Sequence, residues 1–323
     1  MIFNLTSGGG SVGPIVPIFS GAHNFVTSPS GKSGYIEIFE SGTLAWTGAV
    51  TPAKVDITCV GAGGGGGTAV YCTMGDYNYY AVGPGGGGGK VISVFQVAPP
   101  EFMDVIIGAG GQAQASGGST SVGELCAATG GTGGVVNMEY SSYYGMSYPA
   151  STTAGSGGNY GGIGTNHKGT WNSGLSENGT YATGGTNGAE FPALSDTKGN
   201  TVGTSQGAPT IDILGRIHAG GGAAGRYRSS NGTSESFSGG ASDFIEGSGE
   251  AGGEARYRDG FSDSDRYAKG GKGGGGHGGG GGGGALATGG NNKSVTGAGA
   301  PGGNGFVIIG WGDYLSLYEG GAA

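Results

Sequence analysis

Several short patterns in this chain have the form of catalytic or ligand-binding motifs. Gly203-Thr204-Ser205-Gln206-Gly207 matches the nucleophile elbow, which needs a strand before its serine and a helix after it. Neither neighbour reads that way, so acyl-transfer chemistry is not expected. Gly31-Lys32-Ser33 matches the end of a phosphate-binding loop, but Val26 stands where that loop needs its first glycine. Asp259, Asp263 and Asp265 offer oxygens to a hard cation, without the spacing of a calcium loop. His23, His167, His218 and His277 show no paired spacing. Cys59, Cys72 and Cys126 are too few for a disulfide framework and lack the close pairing of a metal site. Cys59 and Cys126 lie in apolar runs and read as buried small hydrophobes. No cofactor, metal or catalytic residue is therefore expected.

The aromatic residues are more informative. Tyr71, Tyr77, Tyr79 and Tyr80 cluster between two glycine runs, and Tyr140, Tyr143, Tyr144 and Tyr148 follow another, with Tyr160 and Trp171 beyond. Arg226-Tyr227-Arg228 and Arg256-Tyr257-Arg258 form a quasi-repeat. Loops of Tyr, Ser, Gly and Asn have the composition of antibody paratopes, where tyrosine supplies contact area at low entropic cost. These residues are candidates for recognition. They are also candidates for capping whatever the glycine runs form.

The elements that must position them are unusual. Of 323 residues, 85 are glycine, against a usual share of about 7 per cent. Collagen is excluded, because the run Gly273–Gly284, broken only by His277, has no Gly-X-Y period. A net charge of −8, from 14 basic and 22 acidic residues, argues against nucleic-acid binding. No stretch of apolar residues is long enough to span a membrane. The start, Met1–Ser7, has no basic segment followed by an apolar core, so no signal peptide is expected.

Strands are expected at Tyr35–Glu40, Lys54–Val60, Lys90–Val97, Met103–Ile107 and Phe306–Ile309, each bounded by Gly or Pro. Val55, Ile57 and Cys59 should share one face. No convincing helix appears; Ile211–Ile217 fits a helix or a strand equally. Pro14 and Pro17 make the first residues an extended apolar arm suited to docking elsewhere.

Glycine runs abut these strands: Gly61–Gly67 follows one, Gly85–Gly89 precedes another, Gly108–Gly111 follows a third, and Gly302–Gly305 precedes the last. Glycine by itself forms a polyproline-II-like helix of three residues per turn with no internal hydrogen bonds. Its amides must bond to neighbouring chains. The runs are expected to form a bundle of such helices, anchored by the burial that the strands provide.

On Val55–Gly67, Gly88–Val97, Val105–Gly111, Gly117–Gly123, Ala128–Gly134 and Gly299–Ile309, the chain resembles the glycine-rich domain of bacteriophage and prophage tail proteins. A related architecture occurs in the glycine-rich region of anaplastic lymphoma kinase. The resemblance implies an all-β fold: a β-sandwich base (jelly-roll or TNF-like) with a bundle of polyglycine-II helices and no significant α-helix. It implies an attachment arm over residues 1–34, sandwich strands with the first glycine helices over 35–134, a glycine-helix insertion with Tyr/Ser-rich loops over 135–284, and a closing segment over 285–323. It further implies a non-enzymatic virion protein, a tail-fibre or tail-tip adhesin. Its partners would be other tail proteins and a host-surface glycan or protein, with no nucleic acid, and a homo-oligomer is compatible with it. In T-even-type phages, loops between glycine helices contact the receptor; the larger β base here departs from those adhesins. An architectural decoration or capping protein is the alternative.

Overall fold

The computed structural model describes residues 14–46, 51–158, 161, 164, 166–170, 211–225, 227–228, 232–234, 255–257, 267–268, 271, 277–289 and 293–318. In chain order the strands are β1 (Pro17–Phe19), β2 (His23–Thr27), β3 (Gly34–Ile38), β4 (Gly42–Trp46), β5 (Val55–Val60), β6 (Val70–Met74), β7 (Tyr77–Ala81), β8 (Val91–Val97), β9 (Phe102–Ile106), β10 (Thr120–Val122) and β11 (Cys126–Ala128). There follow β12 (Val135–Ser141), β13 (Met146–Thr153), β14 (Asn166–Thr170), β15 (Tyr227–Arg228), β16 (Gly232–Ser234), β17 (Ala255–Tyr257), β18 (Tyr267–Ala268), β19 (Leu286–Gly289), β20 (Lys293–Thr296) and β21 (Phe306–Trp311). Among the described residues there is no α-helix, only a 3-10 turn at Tyr314–Leu317. The fold is all-β.

Ten strands build a sandwich. One sheet has the order β1-β4-β9-β10-β11 and the other β2-β3-β21-β5-β8. Their facing side chains form one core: Phe19, Leu44, Trp46, Met103, Val105, Val122 and Cys126 from the first sheet meet Ile36, Ile38, Val55, Ile57, Cys59, Val307, Ile309 and Trp311 from the second. Alternation along β5 does put Val55, Ile57 and Cys59 on this face. The other face of β5 is buried as well, because the 211–219 segment and the 3-10 turn cover it. Thr58 Oγ1 accepts from the Ile213 amide at 3.0 Å, and Asp56 accepts from the Tyr314 hydroxyl at 2.8 Å.

Pro17–Phe19 is a sandwich strand rather than part of a free arm. It pairs with β4 at the sheet edge, and Pro17 opens it, where a missing N–H is harmless. Residues 1–13 lie outside the described residues. Ile211–Ile217 is neither helix nor strand but a tight turn closed by a single bridge between those two residues.

The glycine runs leave one end of the sandwich, where Val60 pairs with Phe306. Gly61–Gly67 is the central rod. The amides of Gly61, Gly64 and Gly67 donate to the carbonyls of Lys90, Gly87 and Pro84 at 2.8, 2.9 and 2.7 Å. Those of Ala62 and Gly65 donate to Gly118 and Ala115, and those of Gly63 and Gly66 to Gly303 and Ala300. Carbonyls point to three further neighbours. Ala62 and Gly65 accept from Gly131 and Gly134, Gly63 and Gly66 from Gly111 and Gln114, and Gly64 and Gly67 from Gly281 and Gly284. Every third residue thus meets the same neighbour, which is the three-residue turn of polyglycine II. Donation runs to three antiparallel segments and acceptance to three parallel ones, so the rod has six neighbours.

At Gly63–Gly66 this packing leaves no room for a side chain. A Cβ built on Gly63, Gly64, Gly65 or Gly66 would lie 1.9–2.1 Å from a carbonyl oxygen of a neighbouring rod. Net stabilisation by one backbone hydrogen bond is about 0.5–1.5 kcal/mol, while ordering a glycine costs about 1–2 kcal/mol or more. The rods at best break even, and the sandwich core supplies the surplus that holds their roots together.

Candidate functional site

At roughly 3.1 Å per residue, the seven residues of the central rod carry the chain about 22 Å from the sandwich. There Gly61–Gly67 delivers the β6–β7 hairpin, and the rod containing Gly130–Gly134 delivers the β12–β13 hairpin. β14 pairs with β7, so β14, β7 and β6 form one distal sheet. The opposite pole holds Gly34 paired with Trp311, and Ile15 donates to the Gly31 carbonyl in the adjacent turn. The chain therefore enters the described structure at the pole away from the tyrosine hairpins.

The tyrosines divide into two groups. Tyr79 and Tyr80 are buried, at 9% and 2% exposure. The Tyr79 ring lies 4.8 Å from that of Tyr148 and 6.5 Å from that of Tyr77, joining the two hairpins. Tyr148 donates to Glu139 Oε2 at 2.7 Å, and this carboxylate raises the phenol's pKa above its ordinary value. The Tyr71 hydroxyl donates to Asn78 Oδ1 at 3.0 Å. Tyr80 packs with Ala69, Val82 and Leu286 at the end of the rods, and Tyr71 packs against them.

Tyr140, Tyr143 and Tyr144 are the outward group. Tyr143 is 86% exposed and Tyr140 68%. The Tyr143 and Tyr144 rings meet edge to face at 4.7 Å, a favoured aromatic geometry. Tyr144 reaches back to the β6–β7 turn, where a Cβ on Gly75 would sit 2.7 Å from its hydroxyl, so the two turns pack against each other. Met138 and Met146, each 46% exposed, extend the apolar surface; sequence reasoning missed them because their exposure depends on the hairpin register. Neither Val70–Ala81 nor Val135–Thr153 contains a lysine or arginine, while Asp76 and Glu139 supply carboxylates. These two hairpins offer aromatic faces, hydroxyls and carboxylates.

The arginine–tyrosine quasi-repeat is only partly described. Tyr227 and Arg228 pair in parallel with Leu286 and Ala287, and Arg256 and Tyr257 pair with Thr233 and Gly232. The fold puts these segments in different sheets. Tyr160, Trp171, Arg226, Arg258, Gly203–Gly207, Asp259, Asp263 and Asp265 lie outside the described residues.

A second cluster escaped sequence reasoning. Asp212 is buried in the tight turn over the outer face of the β3-β21-β5 layer. Its Oδ1 accepts from the amides of Leu214 and Arg216 at 2.8 and 3.0 Å. Its Oδ2 accepts from Arg216 Nε at 2.7 Å and lies 2.8 Å from His218 Nε2. Arg216 also pairs with Glu37 and lies over the Phe306 and Tyr318 rings. His218 stacks on Phe306, and His277 meets the same ring edge-on at 4.4 Å. The two histidines, 59 positions apart by their numbers, thus come within 5.7 Å, centroid to centroid. Burial alone would raise the Asp212 pKa, but the His218 hydrogen bond and the charges of His218 and Arg216 outweigh it and lower it. Burial, reinforced by the His218 and Arg216 charges, lowers His277 to about 3. Through Arg216–Glu37 and the Phe306 ring the cluster forms a lock that holds the 211–219 segment on β3 and β21. Among the described residues, no three His, Cys, Asp or Glu side chains converge as metal ligands.

Residues 39–312 match the family model of a glycine-rich domain. No curated protein matches the chain.

Proposed function

The chain belongs to the glycine-rich domain family, and from that premise we propose that it is a non-enzymatic bacteriophage structural protein of the tail fibre or tail tip that binds a host-surface receptor. The observation that carries this reading is the polarity of the molecule. A sandwich base, with the chain's entry at its far pole, supports rigid rods that hold exposed Tyr140, Tyr143 and Tyr144 at the other pole. Exposed aromatic residues on a stiff support suit recognition, because little entropy remains to be lost on binding. The rods accept only glycine at close contacts such as Gly63–Gly66, whereas the hairpin turns meet solvent. Tip sequences can therefore change, and with them the receptor, without disturbing the scaffold.

In the double variant Tyr143→Ser/Tyr144→Ser, adsorption of particles to host cells falls about tenfold or more, the usual scale for losing interface tyrosines. Adsorption equal to wild type, with the far-ultraviolet spectrum unchanged, overturns the tip assignment. Burial of Tyr79 and Tyr80 favours a second reading, an architectural capping protein whose tyrosines only seal the bundle. On that reading the isolated protein binds particles lacking it and no host cell fraction.

A further inference from the structure

The two sheets of the sandwich converge along one seam, where β11 at the edge of the first sheet approaches β5 and β8 of the second. Cα atoms of β5 and β11 come within 8 Å of each other. Cys59 of β5 and Cys126 of β11 face each other there, both free thiols, 0% and 4% exposed. Cys59 Sγ donates to the Cys126 carbonyl at 3.6 Å, and Cys126 Sγ donates to the Ile92 carbonyl on β8 at 3.4 Å. Isolated buried cysteines fill space; these two are neighbours from opposite sheets, and each belongs to a strand that runs directly into a glycine rod.

We propose that Cys59 and Cys126 form a redox-convertible pair that closes to a disulfide bridging the two sheets at the root of the rods. The pair divides the roles that such closure requires. Cys126, on the edge strand and the less deeply buried of the two, is the sulfur that reacts first, once it has given up its proton to become the thiolate. The oxidant is a small peroxide that reaches the edge strand. The Cys126 thiolate attacks one peroxide oxygen, the O–O bond breaks, and the leaving hydroxide takes a proton to become water. The sulfenic acid formed on Cys126 is then attacked by Cys59 sulfur. The S–O bond breaks as the S–S bond forms, and the departing hydroxyl leaves with the Cys59 proton as a second water. Two thiols are oxidised by two electrons and one peroxide is reduced to two waters. The bridge closes a long loop through the central rod, which is where a cross-link restricts the unfolded chain most.

The test treats the folded full chain with hydrogen peroxide, then alkylates it in denaturant and maps its peptides. The expected product is a peptide linked through Cys59 and Cys126, two hydrogens lighter than the separate thiols. The unfolding midpoint should rise by roughly 5–10 °C and return on addition of dithiothreitol. Recovery of both residues fully alkylated after partly exposed Cys72 has been oxidised overturns the proposal. So does their recovery as separate sulfinic acids, or a link that forms only in urea. In Cys72→Ser, which leaves the sandwich core intact, the same link should form, so that exchange with Cys72 is not its source.

Discussion

Gly66→Ala is expected to destabilise the fold by about 3–6 kcal/mol, enough to consume much of a typical domain's stability. The added Cβ would stand 2.1 Å from the Gly282 carbonyl oxygen, well inside the 3.0 Å below which Cβ contacts essentially never occur. Relief requires the central rod and the rod containing Gly282 to separate. That movement strains the Gly66 amide's bond to Ala300 and the Ala300 amide's bond to Gly282, at 2.8 and 3.0 Å. Separation in one direction presses the rod onto other neighbours, because six surround it. Each buried amide or carbonyl left without a partner costs about 1–3 kcal/mol. Ala62→Gly is the control. Ala62 lies in the same rod and is fully buried, but its methyl is already accommodated. Its removal loses about 0.8 kcal/mol of burial and a comparable amount through added chain freedom. Chemical denaturation of the two variants should show the first far below wild type and the second close to it. Similar midpoints would mean that the rods are not close-packed.

The second large effect concerns the lock. Asp212→Ala removes the acceptor for two amides, the Arg216 guanidinium and the His218 ring, leaving Arg216 buried with Glu37 as its remaining ion-pair partner. Breaking a buried ion pair from one side costs about 3–5 kcal/mol. Asp212→Asn keeps the shape and one carbonyl oxygen and should lose less. The same cluster makes the wild type acid-labile. Unfolded His277 has the ordinary pKa of 6.5, against about 3 in the fold, so between those values the unfolded state binds the extra proton. Stability from this group is complete above pH 6.5 and declines as pH falls toward 3, by about 2–4 kcal/mol. Asp212, whose pKa is lowered, contributes stability above its ordinary range that is lost when pH falls through its folded value. Both slopes have the same sign, with His277 acting first. Denaturant midpoints at pH 7 and pH 4 measure the change; equal midpoints would contradict the burial of His277.

Much of this architecture was legible in local pattern. Alternation marks β3, β5, β8 and β9, a Gly-bounded apolar run marks β21, and glycine next to a strand end marks the root of a rod. What was not legible depends on distant partners. β1 carries a proline that reads as a breaker until β4 pairs beside it. Tyr79 and Tyr143 look alike in sequence, yet one joins two hairpins and the other meets solvent, a difference set by hairpin register and by the Tyr148 ring. The lock joins Arg216 to Glu37 across 179 positions, and no short window contains both charges. Cys59 and Cys126 read correctly as buried, but their adjacency follows only from how the sheets close.

The central claim is that side-chain-free segments are rigid because each main-chain amide is bonded to a neighbouring rod in a three-residue rotation. Native-state amide hydrogen exchange resolved over residues 61–67 tests it most directly. The account predicts that all seven amides exchange only with global opening, as slowly as those of β5 and β21. Exchange of Gly63–Gly67 at the rate of an unstructured peptide, while β5 remains protected, would contradict it.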